Sequence, residues 1–221
     1  MLFVALVIVL IFVGAILFLG VSEIAFARIG FSSQEFLGIL ILTFMGSMIN
    51  IPVWRYTNVQ GTIVDQEVRF YWRTYRIPKF VQKQVSTLVT INMGGAVVPL
   101  LVSLYLLAIH PSIIIYALAT TLFTSVVIHL VAKKVRGVGI VTPAFIPPIA
   151  AATISLLISQ GIDVAIIAYA SGTLGALIGA DLTNLRGITK LGAPVVSIGG
   201  AGTFDGVFLT GIIAVLLVTL V

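Results

Sequence analysis

Seven apolar runs, separated by short polar or basic connections, dominate the amino-acid sequence. A helix needs roughly 20 apolar residues to cross the hydrocarbon core of a bilayer, and these runs are of that order. The sequence therefore predicts an all-α integral membrane protein of about seven transmembrane helices, as one polytopic domain over residues 1–221. The predicted spans are 1–20, 36–54, 85–108, 112–132, 138–158, 162–180 and 204–221.

The composition excludes several other classes of protein. Hydrophobic residues make up 60% of the chain and charged residues only 9%, whereas a soluble domain has roughly 25% charged residues. The chain has no cysteine and only two histidines, so disulfides, thiol nucleophiles and histidine-based metal sites are not expected. We accordingly expect no metal and no cofactor.

The first run could be either a transmembrane helix or a cleaved signal peptide. Ala25-Phe26-Ala27 resembles a small-x-small cleavage site, but no basic residue precedes the run and its length suits a span. These two features favour the transmembrane helix.

Basic residues alternate between the connections. Lysine and arginine total 12 against 7 aspartate and glutamate, a net charge of +5, and they concentrate in the second, fourth and sixth connections. Cytoplasmic loops carry such an excess. The alternation predicts a protein integral to the cell membrane, with the N-terminus cytoplasmic and the C-terminus outside.

The longest polar piece, residues 55–84, is rich in β-branched and aromatic residues. It predicts a small β-hairpin on the cytoplasmic surface; an amphipathic helix with Arg69, Arg73 and Arg76 on one face is the alternative. Aromatic and basic side chains both suit the headgroup level of a bilayer. The expected partner of this insert is the lipid bilayer, not a nucleic acid.

Polar residues and helix breakers collect at the predicted inner ends of the spans. Such residues are costly inside a membrane, so their one-sided placement indicates a functional site in the cytoplasmic half. The supporting residues are Asn92, Gly94, Gly95, Pro143, Asn184, Gly199 and Gly202. For the glycines of spans 3 and 6, packing between helices is favoured over a role in the site; these are Gly94, Gly95, Gly172, Gly175 and Gly179. For Asn92, interhelical hydrogen bonding is the alternative to a role in the site. Residues 142–148 and 196–204 are not expected to be regular helix, with Pro147 and Pro148 marking the start of helix 5.

Asp181 and Asp205 are the candidate catalytic residues. They lie at the ends of two consecutive predicted helices on the same side of the membrane, and adjacent packed helices are about 8–10 Å apart, within reach of two inward-pointing carboxylates. The alternative is structural: Asp181 would pair with Arg186, and Asp205 would cap its own helix.

The segment from Thr173 to Gly211, TLGALIGADLTNLRGITKLGAPVVSIGGAGTFDGVFLTG, together with INMGGAVVP and TPAFIPP, resembles a family of uncharacterised prokaryotic polytopic membrane proteins, a domain of unknown function. The resemblance covers most of the chain and implies no activity.

A second, more distant resemblance is to the intramembrane aspartyl proteases: presenilin, signal peptide peptidase and prepilin peptidase. That resemblance implies that Asp181 and Asp205 are the two catalytic aspartates. Pro143-Ala144-Phe145 is similar to the Pro-Ala-Leu element of that group.

Three functions stay open at this point. The first is an intramembrane aspartyl protease that cleaves a membrane-embedded peptide. The second is a transporter or channel for a small solute or cation that uses the same aspartates and broken helices. The third is a non-catalytic membrane scaffold, which does not explain the one-sided clustering.

Overall fold

The computed structural model describes residues 2–135, 139–188, 194–200 and 206–221. The helices are α1 (Leu2–Arg28), α2 (Ser33–Ser47), α3 (Val98–Ile109), α4 (Ile114–Val131), α5 (Ile146–Ser159), α6 (Val164–Ala176), α7 (Leu185–Ile188) and α8 (Gly206–Thr219). The strands are β1 (Asn50–Phe70), β2 (Arg73–Asn92), β3 (Lys133–Val135), β4 (Gly139–Val141) and β5 (Val195–Ile198).

Three helical stretches are long and apolar enough to cross a membrane: Phe3–Arg28, Pro111–Val131 and Val164–Asn184. Shorter apolar helices cover Met93–Ile109, Ile146–Ser159 and Gly206–Thr219. Each of the seven predicted runs contains a helix, but several of these helices are shorter than the run. The chain is thus a mainly helical membrane protein that also contains sheets.

The β-hairpin predicted for residues 55–84 is confirmed, but it is longer than predicted. β1 and β2 pair antiparallel from Asn50 to Asn92, so the hairpin is longer than the predicted insert and the helical alternative is wrong. Residues 50–54 and 85–92, predicted as ends of spans, are strand. β-branched residues alternate through 85–92, a pattern that favours strand over helix.

A third strand explains why the end of β2 is buried. β5 pairs parallel with β2, Leu88 opposite Val195 through Ile91 opposite Ile198, which gives the sheet order β1-β2-β5. The register shifts between Pro52 and Trp54, a bulge of the kind that accommodates proline within a sheet.

Helix α6 is the centre of the bundle. Its residues from Ile166 to Thr173 are all buried, as expected of a helix enclosed by others. Tyr169 contacts Phe26 of α1, with ring centroids 5.7 Å apart. Gly172 allows close backbone contact between α6 and α8, because a Cβ there would lie 3.2 Å from the Thr210 carbonyl oxygen, and a Cβ on Gly211 would lie 2.6 Å from the Thr173 side chain. The packing role predicted for the span-6 glycines is confirmed.

Two irregular segments agree in part with the sequence. Residues 142–145 are not helical, and α5 begins at Ile146, with Pro147 and Pro148 in its first turn. Residues 195–198 are strand, and Gly199 and Gly200 have positive φ angles. Residues 201–204, the rest of the second segment, lie outside the described residues.

Candidate functional site

Asp181 lies where α6 changes its helical geometry. After Ala176 the chain makes a π-helical turn, Leu177–Asp181, and then a 3-10 turn, Leu182–Asn184. Single π-helical turns are rare and occur often at functional sites. Where helical geometry changes in a membrane protein, backbone carbonyl oxygens often accept hydrogen bonds from nearby side chains.

Side chains of the following turn donate such hydrogen bonds. Asn184, which is buried, donates from Nδ2 to the carbonyl oxygens of Gly179 and Ala180 at 3.1 and 3.0 Å. The Thr183 hydroxyl donates to Gly179 at 2.8 Å and lies 2.8 Å from Nδ1 of His129 on α4. Asn184 therefore stabilises the turn that carries Asp181.

The Asp181 carboxylate accepts a hydrogen bond from the β5 end of the chain. Its Oδ2 lies 2.8 Å from the backbone nitrogen of Gly199. Gly199 has a φ angle of 77°, a conformation that favours glycine. A Cβ at this position would also overlap the backbone of Ala96, so both the conformation and the close approach require glycine here.

Asp181 lines a small cavity shared by several segments. The cavity has a volume of about 70 Å³. Its walls come from α4, β4, α5, the end of α6 and the start of α8. The lining residues are Ile128, Ile140, Thr142, Pro147, Ala176, Ala180, Asp181, Gly206, Val207 and Thr210. The structure thus brings Asp181 together with the start of α8 and with Thr142 and Pro147, on either side of Pro143-Ala144-Phe145.

Three residues of the sequence hypothesis cannot be placed in this geometry. Asp205 and Gly202 lie outside the described residues, as does the side chain of Arg186. Asp205 directly precedes Gly206 in the sequence, and Gly206 lines the cavity.

Asn92 forms a second polar centre at the base of the hairpin. The residue is fully buried. Its Nδ2 donates to the Ser47 carbonyl at 2.7 Å and to Asn50 Oδ1 at 3.1 Å, while its Oδ1 accepts from the Gly95 nitrogen at 2.7 Å. These bonds join α2, β1 and the π-helical turn Met93–Val97, which identifies Asn92 as a helix cap and interhelical link.

Gly94, Gly95 and Pro143 lie outside the cavity. A Cβ on Gly94 would overlap the Thr43 carbonyl of α2, so Gly94 permits close packing, and Gly95 supplies the N–H that Asn92 caps. Pro143 is exposed, and its carbonyl accepts from Ile146 at the start of α5. Thr142 and Thr210, which line the cavity, were not singled out by sequence reasoning, since threonines are common throughout the apolar runs.

A family model described as a protein of unknown function, DUF1614, matches residues 44–217. The chain belongs to the DUF1614 family. That match confirms the first resemblance drawn from the sequence, and the matched range includes the hairpin, Asp181 and the start of α8. The chain matches no curated protein and no solved structure.

Proposed function

We propose that this DUF1614 protein is an intramembrane aspartyl protease in which Asp181 and Asp205 form the catalytic pair. The observation that carries the proposal is the makeup of the cavity. Asp181 lines it together with Gly206, which follows Asp205 in the chain, and with Thr142 and Pro147, which flank the Pro-Ala-Phe segment; the distant resemblance links these neighbourhoods.

The cavity suits the water that such a reaction needs. A cavity needs at least about 10–15 Å³ of this volume to hold one water, and each water occupies about 30 Å³ in the liquid, so about 70 Å³ admits a few molecules. The Thr142 and Thr210 side chains and the Asp181 carboxylate offer polar walls within an apolar bundle.

The chemistry follows from two carboxyl groups in a medium of low dielectric constant. Both cannot ionise at short distance, so they share a proton. The ionised group accepts a proton from water as it attacks the scissile carbonyl carbon, while the protonated group donates its proton to the carbonyl oxygen. The Gly199 N–H holds the Asp181 carboxylate in place through its bond to Oδ2, and one carboxyl of the pair acts as base while the other acts as acid.

An apolar groove beside the same turn suits a membrane-embedded peptide. It has a volume of about 390 Å³ and is lined in part by Leu177, Ile178, Leu182 and Ile198. Ile198 precedes Gly199, so the groove lies next to the Asp181 hydrogen bond. Apolar side chains of a substrate segment would lose little solvation on entering it from lipid.

The test is cleavage of single-span peptides by the full chain in liposomes. Asp181→Asn and Asp205→Asn should each reduce cleavage to background, because asparagine cannot exchange the proton. Asp163→Asn is the matched control: Asp163 lies at the other end of α6 and should leave cleavage unchanged. Cleavage that survives either site variant would refute the catalytic pair.

A cation or proton site is the second candidate, and the small volume of the cavity is the observation that favours it. A carboxylate with neighbouring hydroxyls suits one small cation better than a peptide. In that case sodium or potassium would raise the melting temperature of the wild type, Asp181→Asn would remove the shift, and no peptide would be cleaved.

A further inference from the structure

The outer half of the hairpin has two chemically different faces. Opposite residues on paired strands share a face and successive residues alternate between faces, so the register assigns each residue. Val64 pairs with Lys79, Gln66 with Ile77 and Val68 with Tyr75. We name this side the apolar-basic face; it comprises Val64, Gln66, Val68, Arg73, Tyr75, Ile77 and Lys79.

The opposite face is balanced in charge and mainly polar near the tip, and it carries one exposed apolar pair, Ile63 and Phe80, further from the tip. Asp65 pairs with Pro78, Glu67 with Arg76 and Arg69 with Thr74. Both acidic residues of the hairpin, Asp65 and Glu67, are therefore on this side, and Glu67 accepts a bond from Arg76 at 3.3 Å. The charges of Arg73 and Lys79 on the apolar-basic face have no acidic residue beside them on that face.

Large apolar side chains of the apolar-basic face are exposed. Val64, Tyr75 and Ile77 are each about half exposed. At the tip, Tyr71 and Trp72 are 79% and 88% exposed. Among the described residues β5 pairs only with Leu88–Ile91 of β2, at the base, so the outer half is a two-stranded ribbon. Such ribbons are marginally stable in water without a surface to pack on.

We infer that the apolar-basic face lies on the anionic headgroups of the bilayer that holds the helices. Uncompensated basic residues attract anionic lipid, valine and isoleucine enter the headgroup boundary, and tyrosine and tryptophan favour that level. Both strands join helices at their base, which keeps the hairpin beside the bilayer. This inference does not depend on the proposed function.

The geometry makes the inference sharply testable. A strand of about 20 residues extends roughly 65 Å, so a hairpin standing away from the bilayer would carry its tip far beyond the lipid. The chain has only two tryptophans, Trp54 and Trp72. In a Trp54→Phe, Trp72→Phe background, Tyr75→Trp places a single tryptophan on the apolar-basic face. In the same background, Thr74→Trp places it on the polar face instead.

The experiment measures quenching of that tryptophan by acyl-brominated lipid in nanodiscs of phosphatidylcholine, with and without phosphatidylglycerol. We expect Tyr75→Trp to lose most of its emission in the phosphatidylglycerol discs, much less in phosphatidylcholine alone, and Thr74→Trp to lose little in either. Adding Arg73→Glu and Lys79→Glu to the Tyr75→Trp protein should abolish the difference in quenching between discs with and without phosphatidylglycerol. Adding Arg69→Glu and Arg76→Glu changes the charge equally on the polar face and should preserve that difference.

High salt supplies a check that needs no charge variant, because it screens exposed charges and should weaken quenching of Tyr75→Trp. Equal quenching at positions 74 and 75, or equal quenching with and without phosphatidylglycerol, would overturn the inference. The inference would also be overturned if Tyr75→Trp were not quenched and the hairpins of two copies could be cross-linked. That result would identify a second copy of the chain as the partner of the apolar-basic face.

Discussion

Gly199 has a φ angle of 77° and donates its N–H to Asp181. Gly199→Ala would force a side chain into a left-handed conformation, at a cost of about 1–3 kcal/mol, and into the Ala96 backbone. We expect a clearly lower melting temperature in detergent and weaker function.

Gly20→Ala is the control for that change, since a Cβ on Gly20 meets no atom within 4 Å. It should leave melting unaltered. A Gly199→Ala variant as stable as Gly20→Ala would show that the backbone around Asp181 is not held as described.

Sequence reasoning placed Asp181, Asn184 and Gly199 in one region, and the structure joins them through one π-helical turn. It did not predict the bond from Gly199 to Asp181. Local sequence rules do not predict a contact between Asp181 and a residue that follows β5, because the contact depends on how β5 packs. The glycines around Gly199 indicated only that this segment is a poor helix former.

At the scale of single elements, the start of α2 carries a capping box. The Ser32 hydroxyl accepts from the Glu35 nitrogen, and Glu35 accepts in return from the Ser32 nitrogen at 2.8 Å. The Ser32 hydroxyl also donates to Glu35 Oε2 at 2.8 Å. The bond from the Ser32 backbone nitrogen first, and then this one, lower the pKa of Glu35 below its ordinary value.

A lowered pKa in the folded state means that the capping contribution is complete above the ordinary pKa of glutamate. It is lost as the pH falls through the lowered value. As the pH falls from the ordinary pKa of glutamate through the lowered value, the wild type should therefore lose stability relative to Glu35→Gln. The measurement is the difference between the melting temperatures of the two proteins at each pH. A constant difference across that range would contradict the capping role.

The hairpin was predictable as strand from its β-branched and aromatic residues, but its length was not. Short apolar runs such as 85–92 fit either the end of a span or a buried strand. The deciding contact is β5, more than a hundred residues further along the chain, and no local pattern predicts that pairing.

For the whole molecule, contacts connect polar residues at the ends of several predicted spans. Ser197 donates to Asn50 at 2.8 Å, Asn50 accepts from Asn92, and Gly199 donates to Asp181. The cavity then links Asp181 with Thr142 and Gly206. The clustering predicted from hydropathy is therefore a physical cluster at one end of the bundle.

The most direct test of the paired aspartates uses the absence of cysteine from the natural sequence. Asp181→Cys and Asp205→Cys are combined in one full chain, in native membranes, and treated with a bismaleimide of short spacer. The account predicts efficient intramolecular cross-linking, and almost none for Asp163→Cys with Asp205→Cys. If the 181–205 pair cross-links no better than the 163–205 pair, the two carboxyl groups do not share a site and the proposed protease is contradicted.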